Sequence, residues 1–317
     1  MDKKLNLGYA CINMTLSEVK PIKNKVTTNR TCIKKTFLLR GLDYISDLML
    51  LNVIDLEKIV EWNYQNDIFL YRISSGIFPW VTEYEFNELK DYNKIKDQLK
   101  KVGDLAKKYN QRLTVHPSHF VVLASPKPEV VKKSIRELEA HSELFDMMGF
   151  EPSLYNKINI HVAATYGDKP AAIQRFKDNY HLLSDNCKMR MALENDDKPK
   201  TYSIDDLLPI AKELKCAVTY DLHHFKFCQG KLSGKEALEE AMKTWGSIRP
   251  VVHWSESPED TNKKRSAHSD YVYNLELFGN EYDVDIMIES KMKELALLKY
   301  KSIIKNKFII KIKKKEK

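Results

Sequence analysis

Short apolar runs recur along this chain, and each ends on a residue able to bind a metal ion or carry a proton. RLTVH closes on His116, KINIH on His161, RMALE on Glu194, AVTYD on Asp221, RPVVH on His253 and DIMIE on Glu289. Runs this short and this rich in branched residues have the pattern of strands buried on both faces. Together with two further runs they predict eight strands: Leu5–Cys11, Ile68–Ser74, Arg112–His116, Lys157–Val162, Arg190–Glu194, Ala217–Asp221, Val251–His253 and Val284–Glu289. Between them the apolar spacing becomes helical, over Leu38–Gln65, Tyr92–Tyr109, Pro128–Met148, Ala171–Ser184, Ile204–Leu214 and Lys235–Trp245. Pro128 and Pro170 fall where a first helical turn tolerates proline, and Ser203 and Ser233 stand where N-caps belong. Strand and helix in alternation predict βαβ units. Eight of them predict an α/β fold, a single (β/α)8 TIM barrel whose strand ends share one mouth.

Composition narrows the picture without changing it. The 317 residues suit one barrel, a fold of roughly 250 residues before extensions. With 43% hydrophobic and 30% charged residues the chain is ordinary for a globular protein. No apolar stretch approaches the roughly 20 residues of a membrane helix. The start, MDKKLNLGYACINM, lacks the apolar run of a signal peptide. The expectation is a protein that is not secreted, in the cytoplasm or on the nucleoid, or in a nucleus. Five cysteines without CxxC spacing suit a reducing compartment. Neither a GxGxxG nor a Walker motif occurs, so no nucleotide cofactor is expected. The net charge of +8 belongs wholly to residues 299–317, with nine Lys and one Glu, leaving residues 1–298 balanced at 43 basic and 43 acidic. We therefore expect a barrel domain over 1–298 and a Lys-rich tail over 299–317. Bulk charge gives no argument for nucleic acid; a local basic patch would be needed.

The strand-end residues carry the chemistry. Buried carboxylates are costly unless paired or metal-bound, and six ordered cases are poorly explained as structural accidents. Histidines and carboxylates without cysteine form a hard-to-borderline donor set, suited to Mn²⁺, Zn²⁺, Mg²⁺ or Fe²⁺. With His224 beside Asp221 and His268 from a loop, eight donors exceed one site and imply two or three ions. Such sites activate water and clamp the oxygens of a phosphodiester.

Taken in order, LGYACINMTL, TTNRT (27–31), RLTVHP (112–117), IHVAATYGDK (160–169), MALEND (191–196), YDLHH (220–224), VHWSES (252–257), SAH (266–268) and IMIESKMKE (286–294) resemble the UV damage endonuclease family. That family is a TIM barrel related to the endonuclease IV group, and the resemblance runs from about Leu5 to Glu294. It implies that His116, His161, Glu194, Asp221, His224, His253, His268 and Glu289 are metal ligands, with Glu194 bridging and Glu194, His224 and His268 catalytic. It implies manganese first, with zinc or magnesium as alternatives. The implied substrate is double-stranded DNA carrying cyclobutane pyrimidine dimers or (6-4) photoproducts. The implied cut lies immediately 5′ of the lesion and leaves a 3′-hydroxyl, and a monomer is expected.

Tyr9 and Asn13 match positions that line the lesion pocket. HPSHF (116–120) matches the loop where the family has His-Pro-Gly-Gln-Tyr, so His119 and Phe120 stand in for the wedge into the duplex. Two departures fall near the metals: Glu83 stands where a histidine ligand is common, and is expected to serve as a ligand itself, and Val251 replaces a lysine that becomes carboxylated. Arg30, Lys34 and Lys35 in one loop, and Lys263, Lys264 and Arg265 in another, are expected at phosphates. An apurinic/apyrimidinic endonuclease of the endonuclease IV type would use nearly the same cluster. A sugar isomerase would need fewer ions and no basic loops, and a non-catalytic damage-binding protein would not need all eight ligands.

Overall fold

The alternation of apolar runs and helical stretches closes into a ring. The computed structural model describes residues 6–278 and 282–315, with side chains to 305. Along the chain come β1 (Asn6–Ala10), α1 (Met14–Ser17), α2 (Lys34–Gln65), β2 (Leu70–Ile73), α3 (Tyr92–Lys108), β3 (Arg112–Val115), α4 (Pro128–Met147), β4 (Ile158–Ile160) and α5 (Lys169–Tyr180). Then follow α6 (Asp185–Lys188), β5 (Met191–Glu194), α7 (Ile204–Leu214), β6 (Ala217–Thr219), α8 (Leu222–Phe225), α9 (Gly234–Lys243), β7 (Val251–Trp254), β8 (Asp285–Ile288) and α10 (Lys293–Lys315). All ladders are parallel, in the order β6-β5-β4-β3-β2-β1-β8-β7. Among the described residues β6 and β7 share no ladder, only a parallel bridge from Asp221 to His253, with the His253 N–H donating to the Tyr220 carbonyl at 2.9 Å. The fold is the expected TIM barrel. Most strands are a residue or two shorter than their apolar runs, because most of the ligand-type residues lie just past the ladders; Leu5 lies outside the described residues.

Local chemistry explains the helix ends. Ser203 and Ser233 cap α7 and α9 in reciprocal capping boxes with Asp206 and Glu236. Pro128 and Pro170 occupy the first turns of α4 and α5. Within α2, Gly41 adopts φ 67° and ψ −165°, a conformation open to glycine, and breaks residues 34–40 away from the rest of the helix.

The strands divide two environments. Outward side chains such as Leu7, Tyr9, Ile73 and Leu113 meet the helices in the main core. Inward ones form a small separate cluster of Leu70, Ala192, Ala217, Val251 and Met287. At the N-terminal end Arg112, almost fully buried, closes the floor. It pairs with Asp285 at 2.9 Å and donates to the carbonyls of Leu154, Tyr155 and Arg249. The last helix runs across residues 298–299: Leu297 and Tyr300 are buried, and Tyr300 packs edge-on against Trp254 at 4.8 Å. The side chains of 306–317, most of the Lys-rich segment, lie outside the described residues. Among the described residues no helix is long and apolar enough to cross a membrane.

Candidate metal centre

The C-terminal mouth gathers the strand-end residues around one carboxylate. Three groups have donor atoms within 4.8 Å of one another: His116–His161–Glu194, Glu194–Asp221–His224 and Glu194–His253–Glu289. Glu194 belongs to all three and is 1% exposed. Its Oε1 lies 3.1 Å from His253 Nδ1 and 3.4 Å from His224 Nδ1, and its Oε2 3.5 Å from His116 Nε2. Asn159 donates to Oε2. Burial opposes ionisation of this carboxyl, yet the surrounding imidazoles, His253 and His161 foremost, hold it well below the usual range. Glu289 behaves alike: burial opposes, and Arg72 and His253 hold it low.

The ring orientations divide these histidines. His224 Nδ1 lies 2.9 Å from the Asn195 carbonyl and His116 Nδ1 3.0 Å from that of Pro117. Those oxygens only accept, so the Nδ1 atoms carry protons and Nε2 is left as the donor atom for an ion. His161 Nδ1 likewise faces Asp196 Oδ1 at 2.9 Å. Despite burial, Glu194 and Asp196 push the His161 pKa up to about 9. His253 is turned the other way. Its Nδ1 lies between Glu194 and Glu289, 3.1 and 3.0 Å away, while Nε2 meets the Lys157 amine at 2.9 Å.

Lys157, Asn159, Asp196 and Arg72 are residues the sequence reading passed over. Lys157 is fully buried and also donates to Asn159 Oδ1 at 2.6 Å and Thr219 Oγ1 at 3.1 Å. Burial drives its pKa well below the usual lysine value. Arg72, from β2, pairs with Glu289. Val251 takes no part in the polar network; it belongs to the apolar layer with Ala192 and Met287.

The remaining candidates divide. His268 stands at the rim, Nδ1 on the Glu289 carbonyl and the ring 6.1 Å from that of His224, though outside the three groups. Glu83 is not brought to the cluster: on a turn after β2 it pairs with Lys133 of α4 and accepts from Thr82. Lys133 first of all lowers its pKa. Tyr9 and Asn13 are not brought to the mouth either. Tyr9 occupies an outward position on β1, fully buried, donating to Asn63 of α2 at 2.8 Å and accepting from Asn13 at 2.9 Å. Asn13 caps α1. Arg30 is engaged by Asp55 at 2.6 Å and by the Lys25 and Thr27 carbonyls. His119 and Phe120 are exposed, their rings 4.0 Å apart, on a loop held by Glu137, which accepts from Ser118 N at 2.6 Å and Ser118 Oγ at 2.9 Å. Lys263, Lys264 and Arg265 are exposed, with Lys264 3.2 Å from Asp197 and Arg265 donating to the Pro258 carbonyl.

A parallel barrel whose C-terminal mouth converges imidazoles and carboxylates on one shared glutamate is a TIM-barrel protein with a multi-site cluster able to hold metal ions. The profile of the UV-endonuclease UvdE family matches residues 5–315. A UV-damage endonuclease of Schizosaccharomyces pombe is 36% identical over 92% of this chain, which spans only 49% of that protein's length. A UV DNA damage endonuclease of Clostridium perfringens is 34% identical over 93% of this chain and 69% of its own. The crystal structure described as SacUVDE superposes with a TM-score of 0.82 at 30% identity, covering 95% of this chain and 98% of that one. The chain belongs to the UvdE family of UV endonucleases.

Proposed function

We propose that this chain nicks the backbone of double-stranded DNA immediately 5′ of UV photoproducts, leaving a 3′-hydroxyl, with two or three divalent ions, manganese first, in the cluster. The observation that carries the reading is Glu194, one buried carboxylate shared by three ligand groups. The residues fit an ion on their own chemistry. Asp221 Oδ1 accepts from the backbone of His223 and His224, but its buried Oδ2 has no hydrogen-bond partner among the described residues. An orphaned buried carboxylate oxygen is a strong place for a cation. The donor set is oxygen and nitrogen only, which suits manganese, zinc or magnesium.

His116 and His161, Asp221 and His224, and His253 and Glu289 would hold the ions, with Glu194 common to all. When bound, the ions would activate water and neutralise charge on the reacting phosphate. The chain's own residues set the stage. Asn159, Asp196 and Lys157 fix the orientations of Glu194, His161 and His253 by hydrogen bonds. His268 donates Nδ1–H to the Glu289 carbonyl, which keeps Nε2 as its free lone pair at the rim. Phe120 is 73% exposed. An aromatic ring presented this way can enter a base stack, and a photoproduct must leave the stack to reach the mouth.

The test uses the purified protein and Mn²⁺ with duplexes carrying one pyrimidine dimer, one abasic site or neither. A nick mapped immediately 5′ of the dimer, abolished by Glu194→Ala, is expected. Cutting at the abasic site alone would move the reading to an apurinic endonuclease. Lesion binding without cutting under any divalent ion would leave a damage-binding protein.

A further inference from the structure

The stretch from the end of β1 to the break at Gly41 in α2 carries an unusual share of the exposed apolar surface. Of 13 large apolar side chains exposed among the described residues, Val19, Ile22, Ile33, Leu38 and Leu39 fall in this one segment. Ile33 is 70%, Leu38 72% and Leu39 82% exposed. Residues 18–40 also hold seven Lys and Arg against a single carboxylate, Glu18.

This apolar and basic surface is mounted on a fixed support. Gly41 sets residues 34–40 off from the rest of α2 as a helical spur. Phe37 stacks on Trp80 with centroids 5.3 Å apart, and the Trp80 indole N–H donates to the Cys32 carbonyl at 2.9 Å. Thr36 and Phe37 are half-buried, while Lys34, Lys35, Leu38 and Leu39 are exposed. The spur follows the C-terminal end of β1, so it stands on the same face of the barrel as Glu194.

We infer that this spur is a second DNA-engaging element: Ile33, Leu38 and Leu39 enter the minor groove of the duplex beside the metal centre, and Lys34 and Lys35 contact the flanking phosphates. The inference rests on the reading of the chain as a DNA endonuclease. Apolar tips flanked by cations are the means by which minor-groove proteins unstack a base step and kink the helix. Duplex DNA supplies the opposing charge, and each neutralised phosphate releases counterions. A second copy of this chain would instead set one basic segment against another, which like-charge repulsion disfavours. Arg30 takes no part, because Asp55 holds it.

Two double variants of the full chain test this, Leu38→Ala/Leu39→Ala and Lys34→Ala/Lys35→Ala, all at exposed positions. Binding to a dimer-containing duplex is measured across a salt series, with bending read by energy transfer between end labels. The lysine pair should lower the salt-dependence slope by about 2. The leucine pair should leave that slope unchanged, reduce the bend and weaken duplex binding about tenfold, since the apolar wedge no longer offsets the unstacking of a base step. Wild-type levels of binding and bending in both variants, with nicking intact in the parent, would overturn the spur alone. A parent that neither binds nor nicks would overturn the endonuclease reading with it. Capture by anionic vesicles, lost in the leucine pair while duplex binding persists, would assign the spur to a lipid surface instead. A dimer in solution abolished by the leucine pair, again with duplex binding unchanged, would assign it to self-association.

Discussion

Lys157→Met separates the two consequences of burying an amine under the cluster. Methionine keeps the length and apolar body of the side chain but removes the hydrogen bond to His253 Nε2 at 2.9 Å. Because His253 turns Nδ1 towards both Glu194 and Glu289, its orientation depends on what holds Nε2. Loss of such a supporting partner costs about 10–100-fold in metal affinity, or about 1.4–2.7 kcal/mol. The loss should fall on one ion, that of the Glu194–His253–Glu289 group. The metal-free protein gives a second readout. Burial drives the Lys157 pKa well below its unfolded value, which is about 10.4. Between the two values the unfolded chain binds a proton that the folded chain does not. Wild-type stability therefore rises with pH across that window, by up to about 1.4 kcal/mol per unit. The variant should lack this slope, so any advantage it has near neutrality shrinks as pH climbs towards the unfolded value. Competitive metal titration against a chelator measures the first effect, and urea unfolding of the metal-free proteins at several pH values the second. Unchanged metal affinity together with parallel stability profiles would refute the argument, and would mean that Lys157 neither supports His253 nor resists protonation.

Three further expectations follow from interactions elsewhere. Glu137→Ala removes both hydrogen bonds to Ser118 and frees the loop bearing Phe120; kcat/KM on a dimer-containing duplex should fall about tenfold, two bonds to a charged acceptor being more than enough, with little change in metal content, and an unchanged value would show that the loop holds itself. With His161 pushed up to about 9 in the metal-free chain, its contribution to stability is whole below the unfolded value near 6.5 and is lost as pH rises through about 9. An entering ion must displace that proton, so metal affinity should rise with pH over the same range, and calorimetry in buffers of different ionisation enthalpy should detect proton release at neutral pH; none would contradict the assignment. Arg112→Met breaks the buried pair with Asp285 and strips three carbonyls of their donor; a loss of about 3–5 kcal/mol is expected by urea unfolding, and a loss below about 1 kcal/mol would show that Arg249, with Nε 3.1 Å from Asp285 Oδ1, and Asn6, donating to the same oxygen at 3.2 Å, satisfy Asp285 unaided.

The barrel was legible because its strands alternate with helices and each ends on polar chemistry. The six strand-end residues could be placed for the same reason: a period of two carries every second side chain inward. His224 stands beyond that rule, on α8, and was found only through its neighbour Asp221. The period of two also contained what was passed over. Lys157 and Asn159 precede His161 by four and two positions, and Arg72 is the polar residue in the LYRI strand, so all three share the inward face. Attention to strand ends hid them, because a lysine or arginine in an apolar run has no evident partner until the facing strands are known. The rule also argues against Tyr9 at the mouth, since the inward residues beside it are Gly8 and Ala10. Glu83 was placed by similarity of position alone, and no local pattern could reveal that Lys133, fifty residues on, takes its carboxylate. The break at Gly41 was invisible to helical spacing, which runs on through it.

The seam between β6 and β7 gives the cluster a mechanical role. Every other neighbouring pair of strands is stitched by its own ladder, but here the ring is fastened by a bridge between Asp221 and His253, two of the residues grouped around Glu194. Asp221 and His253 belong to different ligand groups joined through Glu194. Cations in those groups would act as rivets across the one unladdered joint among the described strands. Loading the centre would then also tighten the wall, and a metal-free chain should loosen along this line, at the mouth that holds Glu194.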